Sequence, residues 1–304
     1  MSTIALCIPA YNSAWCLPKL LNSAKQQQIS FDEILVYNDC STDETSAIAR
    51  AYGATVIDGD MNIGCSSGKN KLAAIAKSDW LHFHDADDDL LPNFTTVAHE
   101  WIQKEDSPDI VLLNYKQIDF LSGKLLGELD YDVKKLESDT IKFCIDNKIV
   151  NFALIKKNPF LQIEGFDEDS SILFIEDRAF YMKAAISRLT FGYEPVVTCL
   201  NYYYLGSMST ANKARWPAAG YHLWVKVNES VGNRYPNEIC DQLFQNAIWA
   251  GKANGWDTVK KSLSLANKIN PDLLPPGSRL FLKAFKVSPF YSFYLREMIL
   301  RYFS

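Results

Sequence analysis

Over the first 115 residues, short apolar runs rich in β-formers alternate with stretches of helical periodicity, and this alternation narrows the fold more than any other property of the chain. Thr3–Pro9, Glu33–Asn38, Ala54–Asp58, Trp80–His84 and Asp109–Asn114 read as strands. Ala14–Gln27 sets Leu17, Leu20, Leu21 and Ala24 on one helical face. Ser41-Thr-Asp-Glu44 has the form of a capping box that opens a second helix, and a third is predicted over Ser67–Lys77. Strands separated by single helices build a mostly parallel, Rossmann-like α/β sheet. Such sheets bind ligands beyond the carboxyl ends of the strands, where the strand order reverses. Polar clusters stand there: Tyr11-Asn12 after the first strand, Asp39 after the second and Asp85 after the fourth.

Downstream, 116–132 reads as a hairpin or loop excursion around Ser122-Gly123. Residues 138–187 read as mostly helical with a turn at Gly165-Phe166-Asp167, and Val196–Leu205 as a strand. Beyond about residue 210 the pattern is helical, punctuated by Pro217, Pro236, Pro271 and the Pro275-Pro276-Gly277 break.

With 31 Lys and Arg against 36 Asp and Glu, the net charge of −5 argues against a nucleic-acid partner, whose phosphates are bound by an excess of basic side chains. Seven scattered cysteines without a CxxC pair fit neither a disulfide framework nor a zinc knuckle and point to a reducing compartment. The N-terminal residues do not read as a signal peptide, and no window reaches the roughly 20 apolar residues that span a bilayer. A cytoplasmic location is expected, with peripheral attachment at the inner face of the cell membrane as a variant of it. Segment 279–304 is the reason for that variant. It carries +4, leaving −9 for residues 1–278, and it interleaves aromatic and aliphatic residues with Lys and Arg around Pro289. Two short amphipathic helices of this kind suit an anionic membrane surface; docking on the rest of the chain or on a second copy, as in a homodimer, is the alternative.

Asp85-Ala86-Asp87-Asp88-Asp89 crowds four carboxylates, and such repulsion is relieved by a divalent cation. A calcium loop of the EF-hand type fails, because Leu90 stands where Gly is needed and Thr96 where a bidentate Glu is needed. Mg²⁺ or Mn²⁺, held by one or two carboxylates and completed by substrate phosphates, fits better. The competing reading is a solvated turn capping a helix at Pro92, with Asp89 as the cap. His82 and His84, on one face of the preceding strand, read as core histidines, and Trp15 as a packing residue.

Ile8-Pro-Ala-Tyr-Asn12, Val36-Tyr-Asn-Asp-Cys-Ser-Thr-Asp43, Asn62-Ile-Gly64, Gly68-Lys-Asn70, Asp85-Ala-Asp-Asp88, Gly165-Phe-Asp-Glu168 and Glu176-Asp177 follow one another in an order that resembles the family-2 glycosyltransferases. The resemblance spans about residues 3–210. It implies a GT-A catalytic domain over 1–210, followed by a helical region over 211–304. It also implies a metal-dependent, inverting transfer from a nucleotide-diphosphate sugar to a hydroxyl of a glycan or lipid-linked acceptor, in synthesis of a bacterial surface polysaccharide such as lipopolysaccharide or capsule. Carried over residue by residue, Pro9, Ala10, Tyr11, Asn12 and Asp39 would hold the nucleoside, with Asp39 accepting a uracil-type N–H, so that a UDP-sugar is favoured. Gly64, Lys69, Asn70, Asp85 and Ala86 would line the sugar and diphosphate. Asp87, with Asp88 and Asp85, would hold the metal. Asp177 would be the catalytic base, with Glu176 beside it positioning the acceptor or fixing the loop.

The sequence departs from the family pattern at Asn38 for Asp, Cys40 for Gly and Gly68-Lys69 for Ala-Arg. In Tyr202-Tyr-Tyr-Leu-Gly-Ser-Met-Ser209, similar to the segment that closes over the diphosphate, Leu205 replaces a frequent Arg, with Ser207 and Ser209 as weak substitutes. A non-catalytic sugar-nucleotide or glycan-binding module and a nucleotidyltransferase are the alternatives. The second lacks its glycine-rich, Arg-containing loop after the first strand.

Overall fold

The computed structural model describes residues 2–303, apart from the side chains of Met208, Ser209 and Phe303. In chain order the elements are β1 (Ile4–Ala10), α1 (Leu17–Lys25), β2 (Glu33–Asn38), α2 (Thr45–Ala51), β3 (Thr55–Asp58), α3 (Cys65–Ile75), β4 (Trp80–Phe83), β5 (Asp89–Leu90), α4 (Phe94–Ile102), β6 (Ile110–Asp119) and β7 (Leu125–Glu128). There follow α5 (Val133–Ser138), α6 (Thr140–Asp146), β8 (Ala153–Lys156), α7 (Lys157–Gln162), α8 (Glu176–Ile186) and β9 (Phe191–Tyr203). The chain ends in helices α9 (Met208–Ala211), α10 (Trp216–Val231), α11 (Pro236–Lys252), α12 (Trp256–Ile269), α13 (Arg279–Val287) and α14 (Pro289–Phe303). Two compact units result: one of Met1–Thr140, Ile149–Glu168 and Lys183–Leu205, the other of Ile141–Lys148, Asp169–Met182 and Gly206–Ser304. Two segments inside 1–210 thus cluster with the C-terminal helices.

The first unit is a mixed α/β sheet in the order β3-β2-β1-β4-β8-β6-β9-β5, with β7 paired to β6. β3, β2, β1 and β4 are mutually parallel, as their single-helix crossovers require. The chain builds outward from β1 to β3, then returns to lay β4 on the other side of β1, and that reversal sets the carboxyl ends of β1 and β4 side by side. β1 is buried along its length, which suits a parallel strand covered on both faces. Its Ile4, Leu6 and Ile8 share a core with Leu17, Leu20, Leu21 and Ala24 of α1 and with Phe94 of α4. Each fully buried Leu contributes about 1.5–3 kcal/mol, so the face presented by α1 outweighs the weak propensity of a nine-residue helix.

Several expectations need correction. Residues 153–156 form β8, wedged antiparallel between β4 and β6, inside a stretch read as helical. α2 begins at Thr45 rather than from a capping box at Ser41; Asp43 accepts from the Thr45 N–H, while the Ser41 hydroxyl accepts from the Asn12 N–H. Asp89 caps nothing: it pairs in β5 with β9, and its carboxylate takes Lys19 at 2.8 Å. The hairpin reading of 116–132 holds, with β6 running on to Asp119 and β7 returning from Leu125. Ser207 caps α9 by accepting from the Thr210 N–H, which engages its hydroxyl within the fold; Ser209 lies outside the described side chains.

In the second unit α10, α11 and α12 pack through Leu223, Trp224 and Val227, through Ile239, Leu243 and Phe244, and through Val259, Leu263 and Ala266. Buried Asn246 ties the three together, donating to the Pro217 carbonyl and the Ser262 hydroxyl at 2.8 and 3.1 Å. Gly220 makes room for it: a Cβ there would stand 2.4 Å from the Asn246 Oδ1.

The Gly68 departure has a steric cause. A Cβ on Gly68 would lie 2.9 Å from Cδ1 of Tyr37, whose ring is fully buried and cannot move aside. Replacing Gly by Ala in a helix gains about 1 kcal/mol, whereas overpacking a core typically costs about 1–3 kcal/mol. Gly68→Ala is therefore expected to lower the unfolding free energy by up to about 2 kcal/mol in urea titration, whereas relief of Tyr37 by Tyr37→Leu in the same background should recover part of the loss.

Candidate active site

The loops at the carboxyl ends of β1 and β2 are stitched into one platform. Asn12 Oδ1 accepts from the Thr42 N–H at 2.9 Å, and the N–H groups of Asn12, Ser13 and Ala14 donate to Ser41 Oγ, Thr45 Oγ1 and Asp43 Oδ2. The Asp39 N–H donates to the Ala10 carbonyl at 2.8 Å. Asn12 and Cys40, at φ 49° and 60°, hold the left-handed conformation that such tight turns impose and that glycine adopts at least steric cost. Tyr11 projects from this platform, exposed.

Asp39 ties in a third loop. Its Oδ1 and Oδ2 accept from the N–H groups of Ile63 and Gly64 at 2.7 and 2.9 Å, where α3 begins. Gly64, at φ 85°, turns the chain into that helix. One lone pair on each buried carboxylate oxygen is left over for a ligand N–H.

The acidic turn after β4 sorts its carboxylates into different surroundings. Asp88 is buried, and both oxygens accept from β9: Oδ1 from the Tyr202 N–H at 2.8 Å and Oδ2 from Asn201 Nδ2 at 3.0 Å. Burial first, then the charges of Asp87 and Asp85, push its pKa well above the ordinary carboxylate range. Asp88 is therefore an anchor that ties the turn to β9. Asp87 is half-buried, and Tyr204 donates to its Oδ2 at 2.8 Å; among the described residues no other side chain donates to it. Asp85 is half-exposed, with Lys69 Nζ 3.8 Å from its Oδ1 and Asn151 Nδ2 at 3.4 Å. Two hard carboxylates at a strand end, crowded enough to raise the pKa of a third, form the donor set that Mg²⁺ or Mn²⁺ takes while keeping positions open for phosphate and water. Asp87 and Asp85 thus fit such a cation. Ala86 between them is buried.

Lys69 and Asn70 do not face a ligand. Lys69 is 1% exposed and lies against Asp85 and over the Phe166 ring, at 4.9 Å, so its charge balances the acidic turn from inside. Asn70 uses both polar atoms on the Gly165–Glu168 turn: Oδ1 accepts from the Phe166 N–H at 2.8 Å, and Nδ2 donates to the Phe166 carbonyl and Glu168 Oε1. A Cβ on Gly165 would stand 2.3 Å from the Asn70 Oδ1. Both are corrected from ligand contacts to supports of the turn. His82 and His84 are core residues as expected. His82 Nδ1 donates to the Ala153 carbonyl and its Nε2 pairs with His84 Nδ1, both at 2.9 Å, and burial holds both imidazoles neutral, His82 with a pKa of about 4.

Sequence reasoning missed an aromatic rim beside Asp87. Trp15, 55% exposed rather than packed inside, meets Tyr204 and Phe120 edge to face at 5.4 and 5.8 Å. Tyr202, on the same face of β9, donates to Asp89 beneath Lys19. The signal was the alternation of Tyr202 and Tyr204 at a strand end, which aims both rings to one side.

Glu176 and Asp177 belong to the second unit and open α8, where the helix dipole favours carboxylates. Glu176 is buried and Asp177 half-buried. Phe174, two residues ahead, sits at φ 77°, a strained turn for a bulky side chain. Arg178 is fixed by the Ile145 carbonyl, by Gln242 and by the Trp224 ring, and burial lowers its pKa to about 10. Burial and Arg178 lower the Lys148 pKa, and the Asp177 charge opposes them.

Asp39→Asn tests the three-loop clamp. Asn presents one acceptor and one N–H group, so an N–H of the 63–64 loop loses its charged partner, at a cost of about 1.5–3 kcal/mol. The expected result is a fall of that size in urea unfolding; an unchanged midpoint would remove Asp39 as the clamp.

Comparison with known proteins gives the following. The sequence profile of glycosyl transferase family 2 matches residues 5–158, about half of the chain. An uncharacterized glycosyltransferase of Haemophilus influenzae is 27% identical over 239 residues, which cover 76% of this chain and 80% of that protein. Among solved structures, S. aureus TarS 1-349 is 17% identical with a TM-score of 0.67, covering 99% of this chain and 92% of that one, and it has also been solved in complex with UDP-GlcNAc. The mannosyltransferase PcManGT of Pyrobaculum calidifontis, solved with GDP-Man and Mn²⁺, is 15% identical with a TM-score of 0.60, covering 97% and 84%. The sheet order, the helical C-terminal region and these neighbours establish a GT-A fold. With its profile match over β1 to β8, the chain belongs to glycosyltransferase family 2 and is a glycosyltransferase.

Proposed function

We propose that the protein is a metal-dependent, inverting glycosyltransferase that takes a UDP-sugar as donor and a hydroxyl of a glycan or lipid-linked glycan as acceptor, in the synthesis of a bacterial surface polysaccharide. The observation that carries this reading is the meeting of the Tyr11–Asn12 platform, Asp39 and the Asp85–Asp87 turn at the carboxyl ends of β2, β1 and β4. The nucleotide sugars bound by the two structural relatives support it.

The nucleoside lies against Pro9, Ala10, Tyr11 and Asn12, and the free lone pair of Asp39 accepts the N–H of the base. Asp87 and Asp85 would hold Mn²⁺ or Mg²⁺, and such a cation would supply positive charge to balance the leaving diphosphate. Tyr204 fixes one oxygen of Asp87 and so aims the carboxylate. Asp177 accepts the proton of the acceptor hydroxyl while its oxygen bonds to the anomeric carbon. The bond from that carbon to the diphosphate breaks on the opposite face, which inverts the configuration. Glu176 holds the loop that carries Asp177.

Asp177→Asn is expected to keep donor affinity, by calorimetry with UDP-sugar and Mn²⁺, and to lose about 100-fold or more in transfer. Asp87→Asn is expected to lose the metal-dependent part of donor binding. Normal turnover by Asp177→Asn, or an Asp87→Asn variant whose donor affinity is unchanged with and without metal, would overturn these assignments.

A further inference from the structure

α13 and α14 present an apolar surface outward whose charge is of one sign. Their inner faces close on each other and on the second unit: Phe281, Phe285 and Phe293 stack within 6.2 Å of one another, and Phe285 meets Phe244 of α11. The opposite faces carry Leu280, Ala284 and Val287 on α13, and Tyr291, Leu295, Ile299 and Tyr302 on α14. These spacings of three, four and seven or eight residues make a continuous stripe on each helix. Leu280 and Val287 are 79% and 88% exposed, a cost that a chain carries on a helix surface when something apolar covers it.

The charges are placed with equal selectivity. Arg279, Lys283 and Lys286 flank the α13 stripe, exposed, and no ion pair engages them among the described residues. The one carboxylate in the two helices, Glu297, is turned inward, 2% exposed and paired with Arg296 at 2.9 Å. Arg301 is committed to the Asn254 side chain and the Gly251 carbonyl, which fastens the end of α14 to its own unit. No helix among the described residues is long and apolar enough to cross a membrane, so the pair is suited to lie on a surface.

We propose that this outward face of α13 and α14 docks on an anionic lipid surface, the apolar stripes entering the acyl boundary while Arg279, Lys283 and Lys286 meet the headgroups. A second copy of the chain is the less suitable occupant. A two-fold contact places each patch against itself, and this patch would bring the same three cations together without a carboxylate between them. Tyr291 and Tyr302 add exposed aromatic rings with polar tips, the side chains that settle at a membrane–water boundary.

The test is flotation of the full-length protein with vesicles of phosphatidylcholine alone and of phosphatidylcholine with added phosphatidylglycerol. Each basic residue near an anionic surface is worth roughly fivefold in partitioning. Lys283→Glu with Lys286→Glu should lower binding to the anionic vesicles by about thirtyfold or more, and Val287→Ser with Leu295→Ser should lower it too. All four side chains are exposed, so the thermal midpoints of both variants should match that of the parent protein. Equal flotation of parent and variants, absence of binding to anionic vesicles, or a dimer in light scattering that these same substitutions dissociate would overturn the proposal.

Discussion

The nucleotide platform and the acidic turn depend on one backbone constraint, the parallel pairing of β1 between β2 and β4. The register that sets Ala10 opposite Asn38 and Cys7 opposite Phe83 makes three strands end together. Each ending releases a loop whose N–H and C=O groups have no sheet partner, and these must be satisfied locally. The protein satisfies them with side chains of the neighbouring loop, so Asn12, Ser41, Asp43, Thr45 and Asp39 form a lattice of backbone-directed hydrogen bonds. The result is a surface whose backbone is fixed before any ligand arrives, and that preorganisation lowers the cost of binding a flexible nucleotide.

Electrostatics add a second layer. Three carboxylates of Asp85-Ala-Asp-Asp88 look alike in sequence and become chemically unlike in the fold. Asp88 is drawn under β9 and satisfied there, Asp87 keeps one oxygen on Tyr204, and Asp85 stands in front of buried Lys69. A buried ammonium is costly unless it is paired. Lys69 is tolerable because Asp85 and the Phe166 ring share its charge, and the hydrogen bonds between Asn70 and the Phe166 backbone hold that ring where it is needed. Gly68, Lys69, Asn70 and the 165–168 turn are in this sense one device supporting the acidic turn from behind.

The layout of the sheet was legible because its signals are local and strong: apolar strands at regular intervals, with polar residues at each carboxyl end. Glu33–Asn38 emerged as a strand with those same bounds. β8 was not legible, since four residues buried on both faces carry no period that distinguishes strand from helix. The acidic turn and the order of the motifs were readable, yet the division of labour inside them was not. Whether Lys69 points at a phosphate or at Asp85, and whether Asn70 touches a sugar or the Phe166 backbone, is decided by residues about 100 positions away in the chain. Trp15 shows the opposite failure: a large apolar residue read as packing stands at the rim, because the turn before α1 delays the helix to Leu17. The outward stripe of the last two helices could be suspected from composition, but the inward turn of Glu297, which leaves that face positive, could not.

Crystals of the full-length protein soaked with UDP and Mn²⁺, and measured for anomalous scattering at the manganese edge, test the account at its centre. A manganese peak at coordination distance from Asp87 and from the diphosphate, with the uracil ring between Tyr11 and Asp39, is the result predicted. Nucleotide bound away from the carboxyl ends of β1, β2 and β4, or a metal held by residues other than the Asp85–Asp87 turn, would contradict it.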